Sequence, residues 1–253
     1  MRHRLDSSRE KIARAKELAA AFDSAVKDYY LPAPFQIRHD YDEQRGHLVW
    51  RLVNCKPPSL RLGVLVGEVV HHLRSALDHA VFQLIESNGK TPGNKSGFPI
   101  FSDVKGYRSK RRKMIRGVSA AAEARIELLQ PFHKGAAFRE HPLWILQNLN
   151  NTDKHRLLAI TVAFTGFSGE GTLEFEPPLT VSHGAFVKMM ARTPVVEGEE
   201  LLRIQTTQRR AAIKGDIPLA VVLETFPKEA AVDLMGRLAG ETSLIVESFA
   251  PEF

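Results

Sequence analysis

The sequence predicts an α+β fold: an N-terminal helical bundle with a β-hairpin insert, then an antiparallel β region and a closing helix. Three observations carry this. Apolar residues recur at helical spacing through most of the first 158 residues. After that point the pattern shortens to strand-like runs broken by Gly, Pro and Glu. A single helical stripe returns at the end of the chain.

Residues 7–28 read as the first helix. Ser7 or Ser8 caps it, and Ile12, Ala15, Ala19, Phe22 and Val26 form its inner stripe. Pro32 and Pro34 keep the helix from continuing. Residues 35–41 and 47–53 are strand-like, joined by a turn over 42–46, so 35–53 reads as a hairpin. Pro57-Pro58 punctuates, and a long helix covers about 59–87, ending at Asn88-Gly89. Residues 89–117 read as irregular, 118–129 as a helix ending before Pro131, and 142–158 as a helix with Pro142 in its first turn. Strands are expected at 160–167, 172–175, 185–191, 201–207 and 219–223. The last helix is expected over 227–248, with Pro227 in its first turn and Ala231, Leu234, Met235, Leu238, Thr242 and Ile245 facing inward. The chain therefore divides by pattern into a helical part, 1–158, and a β-rich part with its helix, 159–253. These form either two domains or one continuous domain.

A length of 253 residues suffices for a real core, and 43% hydrophobic with 25% charged residues is ordinary for a globular protein. No apolar run approaches the roughly 18–20 residues a membrane helix needs. The start, Met1 to Asp6, leads into a charged helix pattern without an apolar secretion segment. The expected partners do not include a membrane, and the expected compartment is the cytoplasm. Cys55 is the one cysteine, so an intrachain disulfide or thiolate zinc site cannot form. Placed between a strand and Pro57-Pro58, it reads as a small buried hydrophobe rather than a nucleophile.

The net charge is +6 and the isoelectric point about 9.5, which permits an anionic partner. Lys105, Arg108, Lys110, Arg111, Arg112, Lys113 and Arg116 crowd into twelve residues with Tyr107 among them and no acid. The run reads either as a solvated basic loop or as a patch that tracks nucleic-acid phosphates.

The most telling stretch is Glu68 to His79. At 100° per residue, Val66, Val69, Leu73, Leu77, Ala80 and Leu84 gather on one side of the helix. Glu68, His71, His72, Ser75, Asp78 and His79 gather on the other, with Arg74 at the margin. A plain surface helix carries Lys and Glu there. Three imidazoles, two acids, a hydroxyl and a guanidinium instead are groups that move protons, hold phosphates or bind metals. Each has an ordinary structural use as well: Glu68 paired with His72, and Asp78 with Arg74, one turn apart. A second polar cluster runs from Asn148 to Arg156. His141, Asn148 and His155 stand seven apart and form a stripe, with Trp144 and Thr152 beside it. Lys154, His155 and Arg156 also suit a helix C-terminus for purely electrostatic reasons, and His141 suits a helix start.

Arg74-Ser75-Ala76-Leu77-Asp78-His79 resembles the Arg-x(4–6)-His motif of the HEPN superfamily, whose ribonucleases carry it on a helix of a small helical bundle. The resemblance covers the motif and, loosely, the helices before residue 158. The position after the arginine, often a polar amide in the family, is Ser75 here. The resemblance implies a metal-independent endoribonuclease, a hydrolase in a toxin or defence setting with RNA as partner, an antitoxin protein as a further one, and no cofactor. It implies His79 as general acid/base and Arg74 as phosphate clamp. Asp78, His72 and His155 stand behind them, and the 105–116 cations contact RNA. Positions i and i+5 diverge by about 140° on a helix, and the family pairs two motifs across a dimer, so a homodimer is expected.

Two other readings stand beside it. One is a non-catalytic, dimeric binding or sensing module, with the motif as an internal salt-bridge network. The other is a metal enzyme of the helical-bundle kind using Glu68, His71, His72, Asp78 and His79, with Asp153 and His155 as further ligands. Glu68-Val69-Val70-His71 matches one Glu-x-x-His unit, without a second. Phosphate-loop and dinucleotide motifs do not occur, and Gly166-Phe167-Ser168-Gly169 lacks the spacing of a nucleophile elbow.

Overall fold

The computed structural model describes residues 4–164, 174–180, 188–189, 195–214 and 219–253. The order is α1 (Asp6–Tyr30), β1 (Gln36–Asp42), β2 (His47–Val53), α2 (Leu60–Ser87), α3 (Val104–Met114), α4 (Ala120–Leu128), a 3-10 segment (Pro131–Glu140), α5 (Pro142–Asp153), β3 (Ile160–Phe164), β4 (Glu174–Glu176), β5 (Lys188–Met189), β6 (Glu200–Gln205), β7 (Ala212–Lys214), β8 (Leu219–Leu223) and α6 (Ala231–Glu247). The class is α+β, with helices first and strands with a closing helix after.

The chain forms two compact units that are not its two successive parts. One takes residues 1–23, 63–158 and 232–253; the other takes 24–62 and 159–231. Pattern alone divides the chain at 158. Contact instead places the hairpin with the late strands and the closing helix with the early helices. The reason lies in pairing and burial. β2 needs a second neighbour and finds it in β6, antiparallel, with Leu48 opposite Ile204 and Trp50 opposite Leu202. The α6 stripe Ala231, Leu234, Met235, Leu238, Thr242 and Ile245 is buried throughout.

In the helical unit the α2 stripe Val66, Val69, Leu73, Leu77, Ala80 and Leu84 is sealed, as the spacing predicts. Two glycines let the end of α5 come close. A Cβ on Gly63 would stand 2.5 Å from the Leu158 carbonyl oxygen, and one on Gly67 would stand 2.2 Å from Asp153 Oδ1. Arg9 of α1 forks onto Glu247 of α6 through Nε and Nη2, both at 2.8 Å. Buried Gln130 is satisfied on three sides: Nε2 donates to Pro99 O and Ile126 O, and Oε1 accepts from Phe101 N.

Three local expectations change. The basic run is not irregular: it forms α3, because Asp103 caps it by accepting from Gly106 N, and Tyr107 is buried. The α5 helix stops at Asp153 rather than 158, with Lys154 as its C-cap. The last helix begins at Ala231, so Pro227 precedes it in a turn. β7 has no counterpart among the expected strands; three residues give too little periodicity to show. The strand expectations over 165–167, 172–173, 185–187 and 190–191, like Gly166–Gly169, lie outside the described residues.

In the β-rich unit the main sheet runs β1-β2-β6-β5, with β3-β8 and β4-β7 as antiparallel pairs. Its core holds Leu48, Trp50, Leu52, Leu201, Leu202, Ile204 and Ala211. Trp50 Nε1 donates to Ala211 O at 2.9 Å, so the indole is buried without an orphaned donor.

Candidate functional site

The polar face of α2 resolves into three directions. The first faces the Gly97–Phe98 strap. Arg74 Nη2 donates to Phe98 O at 2.7 Å and meets Asp78 Oδ1 at 3.0 Å. The same Asp78 Oδ1 accepts from Phe98 N at 2.8 Å. One guanidinium and one carboxylate thus hold both backbone groups of Phe98, as a neighbouring strand would. Arg74 is only 12% exposed, and burial pulls its pKa down against the pull of Asp78. Its Nη1 is buried and has no partner among the described residues. Gly97 belongs to this brace, since a Cβ there would stand 2.7 Å from Asp78 Oδ1. The expected phosphate clamp is therefore turned into the fold, with one nitrogen uncommitted.

The second direction faces α1. His72 and His79 stand seven apart, on one stripe, and both are half-buried. Burial lowers both imidazoles, and Lys11 of α1 lowers them further; Arg14 adds to the effect on His72, and Asp78 opposes it at His79. Nδ1 of His72 is buried with no partner among the described residues. Lys11 is a group that sequence reasoning missed. It sits in another helix, at the margin of the α1 apolar stripe, and nothing in its local pattern distinguishes it from a solvated lysine.

The third direction is a shallow hollow of about 460 Å³, lined by Val64, Gly67, Glu68, His71, His72, Asp153 and Leu157. Here the two polar clusters meet, but through Asp153 and not through His155. Burial raises Asp153, and nearby His71 pulls it back down. His155 lies beyond the last residue of α5, exposed, in the turn that closes the helix. The 141–148–155 stripe ends with the helix that carried it. His141 is the N-cap of α5, its Nδ1 accepting from Leu143 N at 3.2 Å. The spacing of Gly63 and Gly67 within a helix of good formers was the available signal for this close approach.

A metal centre does not assemble from these residues. Among the described residues no three of His, Cys, Asp and Glu are grouped to hold an ion. Asp78 is committed to Arg74 and Phe98 N, while Glu68 and His71 are exposed on a different side of the helix from the brace. The bundle-metal alternative finds no ligand group of that kind among the described residues. Cys55 is half-buried, and burial together with Glu197 pushes its thiol up, which disfavours a thiolate.

The basic run also divides. Arg111 pairs with Glu123 and lies over the Tyr107 ring, 5.8 Å from its centroid. Lys110 Nζ sits 6.0 Å from the centroid of Phe101. Lys105 and Arg108 are exposed on the first half of the helix. Arg112, Lys113 and Arg116 line a cleft with Lys90 and Lys95. No helix among the described residues is long and apolar enough to cross a membrane. Comparison with protein-family models, with curated proteins and with solved structures finds no match to this chain.

Proposed function

We propose that the protein is a metal-independent endoribonuclease of HEPN type whose proton chemistry lies on the His72–His79 stripe. The observation that carries this reading is that His72 and His79 share one half-buried stripe of α2, where burial and Lys11 of α1 both lower the imidazole pKa. A base held neutral at working pH accepts the proton of a ribose 2′-hydroxyl, the role assigned to His79. The freed oxygen attacks the adjacent phosphorus, the bond to the 5′-oxygen breaks, and a 2′,3′-cyclic phosphate forms. The departing 5′-oxygen takes its proton from solvent water. Lys11 supplies the positive charge near the developing phosphorane. Arg74 and Asp78 act as positioning residues that hold the strap. A homodimer along α2 belongs to the same reading, supported by Val64 and Phe82, which stay exposed on that helix. The antitoxin partner rests on the resemblance alone.

The test is RNA cleavage with EDTA present. Cutting should persist, and His79→Ala should abolish it while far-UV circular dichroism stays unchanged. Lys11→Met should move the acidic limb of the rate profile to higher pH, since removing a cation lets the base keep its proton longer. Intact RNA at every protein concentration overturns the proposal.

A second reading is a non-catalytic binding module, and the Arg74–Asp78–Phe98 brace favours it. There the motif serves architecture, and RNA is retained uncut.

A further inference from the structure

Five cations surround one cleft in the helical unit, and no carboxylate among the described residues lines it. Lys90 and Lys95 come from the loop after α2; Arg112, Lys113 and Arg116 come from the end of α3 and just beyond. The cleft measures about 950 Å³. A helix C-terminus attracts cations through its dipole, which accounts for Arg112 and Lys113. It does not account for Lys90 and Lys95, which belong to no helix. Five like charges around one hollow repel one another unless an anion sits among them.

The walls are fixed by hydrogen bonds, so the cations are gathered by the fold and not by chance. Gly97 N donates to Met114 O at 3.0 Å, joining the strap to the end of α3. Ile115 N donates to Arg111 O, so two of the helix-end carbonyls that would repel an anion are already occupied. Asn88 Nδ2 donates to Gly117 O at 2.9 Å. Gly93 N donates to Ser96 Oγ and Ser96 N to Gly93 O, both at 2.9 Å, which closes the turn carrying Lys95. Gly117, at φ 103°, packs where a Cβ would stand 2.9 Å from Lys90 Cβ. The Arg74–Asp78 brace stands behind the same strap.

We propose that this cleft binds the sugar–phosphate backbone of RNA, holding successive phosphates independently of base sequence. The assignment to RNA rests on the ribonuclease reading; the assignment to a phosphodiester chain rests on the cleft. Its volume exceeds one phosphate. Its lining has lysines, arginines, Thr91, Asn94 and Ser96 but, among the described residues, no aromatic ring on which a base would stack. Such a surface positions a strand without reading it.

The test is fluorescence anisotropy of the full chain with a short labelled single-stranded RNA, over a series of KCl concentrations. The triple variant K90A/K95A/R112A changes exposed side chains only. It should bind at least about tenfold more weakly near 100 mM KCl. Its log–log salt slope should fall by about 2, because each phosphate contact on a single strand contributes about 0.7. Arg38→Ala with Arg45→Ala, exposed cations of the β1–β2 hairpin, should bind as the parent does. Equal binding by the triple variant, or an equal loss in the 38/45 variant, overturns the cleft. Anionic vesicles of phosphatidylserine should not retain the protein; retention lost in the triple variant overturns RNA as the occupant. Loss of binding in the triple variant together with uncut RNA would leave the cleft standing and remove the nuclease. Cutting without any binding change in the triple variant would do the reverse.

Discussion

Replacing Arg74 by Met separates a brace from a phosphate clamp. Met keeps most of the side-chain volume and removes the guanidinium. Phe98 O then loses its donor at 2.7 Å, and Asp78 loses its ion partner at 3.0 Å. A hydrogen bond from a charged group contributes about 1.5–3 kcal/mol. Breaking a sealed ion pair costs about 3–5 kcal/mol, but Asp78 is 36% exposed and keeps Phe98 N, so water restores part of the loss. The expected destabilisation is about 2–3 kcal/mol. At about 2–4 °C per kcal/mol for a chain of this size, Tm should fall by about 4–12 °C. Arg74→Lys keeps the charge without the planar fork and should cost about 1 kcal/mol. Calorimetry or thermal circular dichroism near neutral pH reads both. An R74M protein as stable as its parent yet unable to cut RNA would refute the brace and return Arg74 to the substrate.

Two other predictions concern the same helix. Gly67→Ala places a Cβ 2.2 Å from Asp153 Oδ1. The overpacking cost of about 1–3 kcal/mol exceeds the helix-propensity gain of just under about 1 kcal/mol. Adding Asp153→Ser should recover most of the loss, and a double-mutant cycle without coupling would refute the contact. The imidazoles of His72 and His79 titrate lower in the folded state than in the unfolded chain, where the value is about 6.5. Below that pH the unfolded chain takes up protons that the folded one resists, so stability falls as pH drops under about 6.5 and is flat above it. His79→Gln should reduce the slope, and a Tm that rises on acidification from 7 to 5 contradicts the burial of these rings.

Much of the fold was legible in the sequence because periodicity reports burial directly. The α2 and α6 stripes, the hairpin and the α5 start at His141-Pro142 come from spacing and capping alone. What spacing cannot report is the identity of the neighbour. Asp78 and Arg74 read equally as catalytic or paired until Phe98, twenty residues past Asp78, offers both its backbone groups. His155 keeps its helical phase on paper, but the helix ends two residues earlier, where Lys154 caps it. Lys90 and Lys95 look like ordinary loop cations until the 97–114 hydrogen bond draws their loop against α3.

The residues by themselves determined most of the secondary elements, the α2 and α6 buried faces and the supply of imidazoles and cations, since these depend on local spacing and side-chain chemistry. Tertiary structure alone decided which early and late segments share a unit, which way Arg74 points, that Lys11 stands by two histidines, and that five cations share one cleft. Those outcomes depend on contacts between residues far apart in the chain, and such contacts leave no period in the sequence.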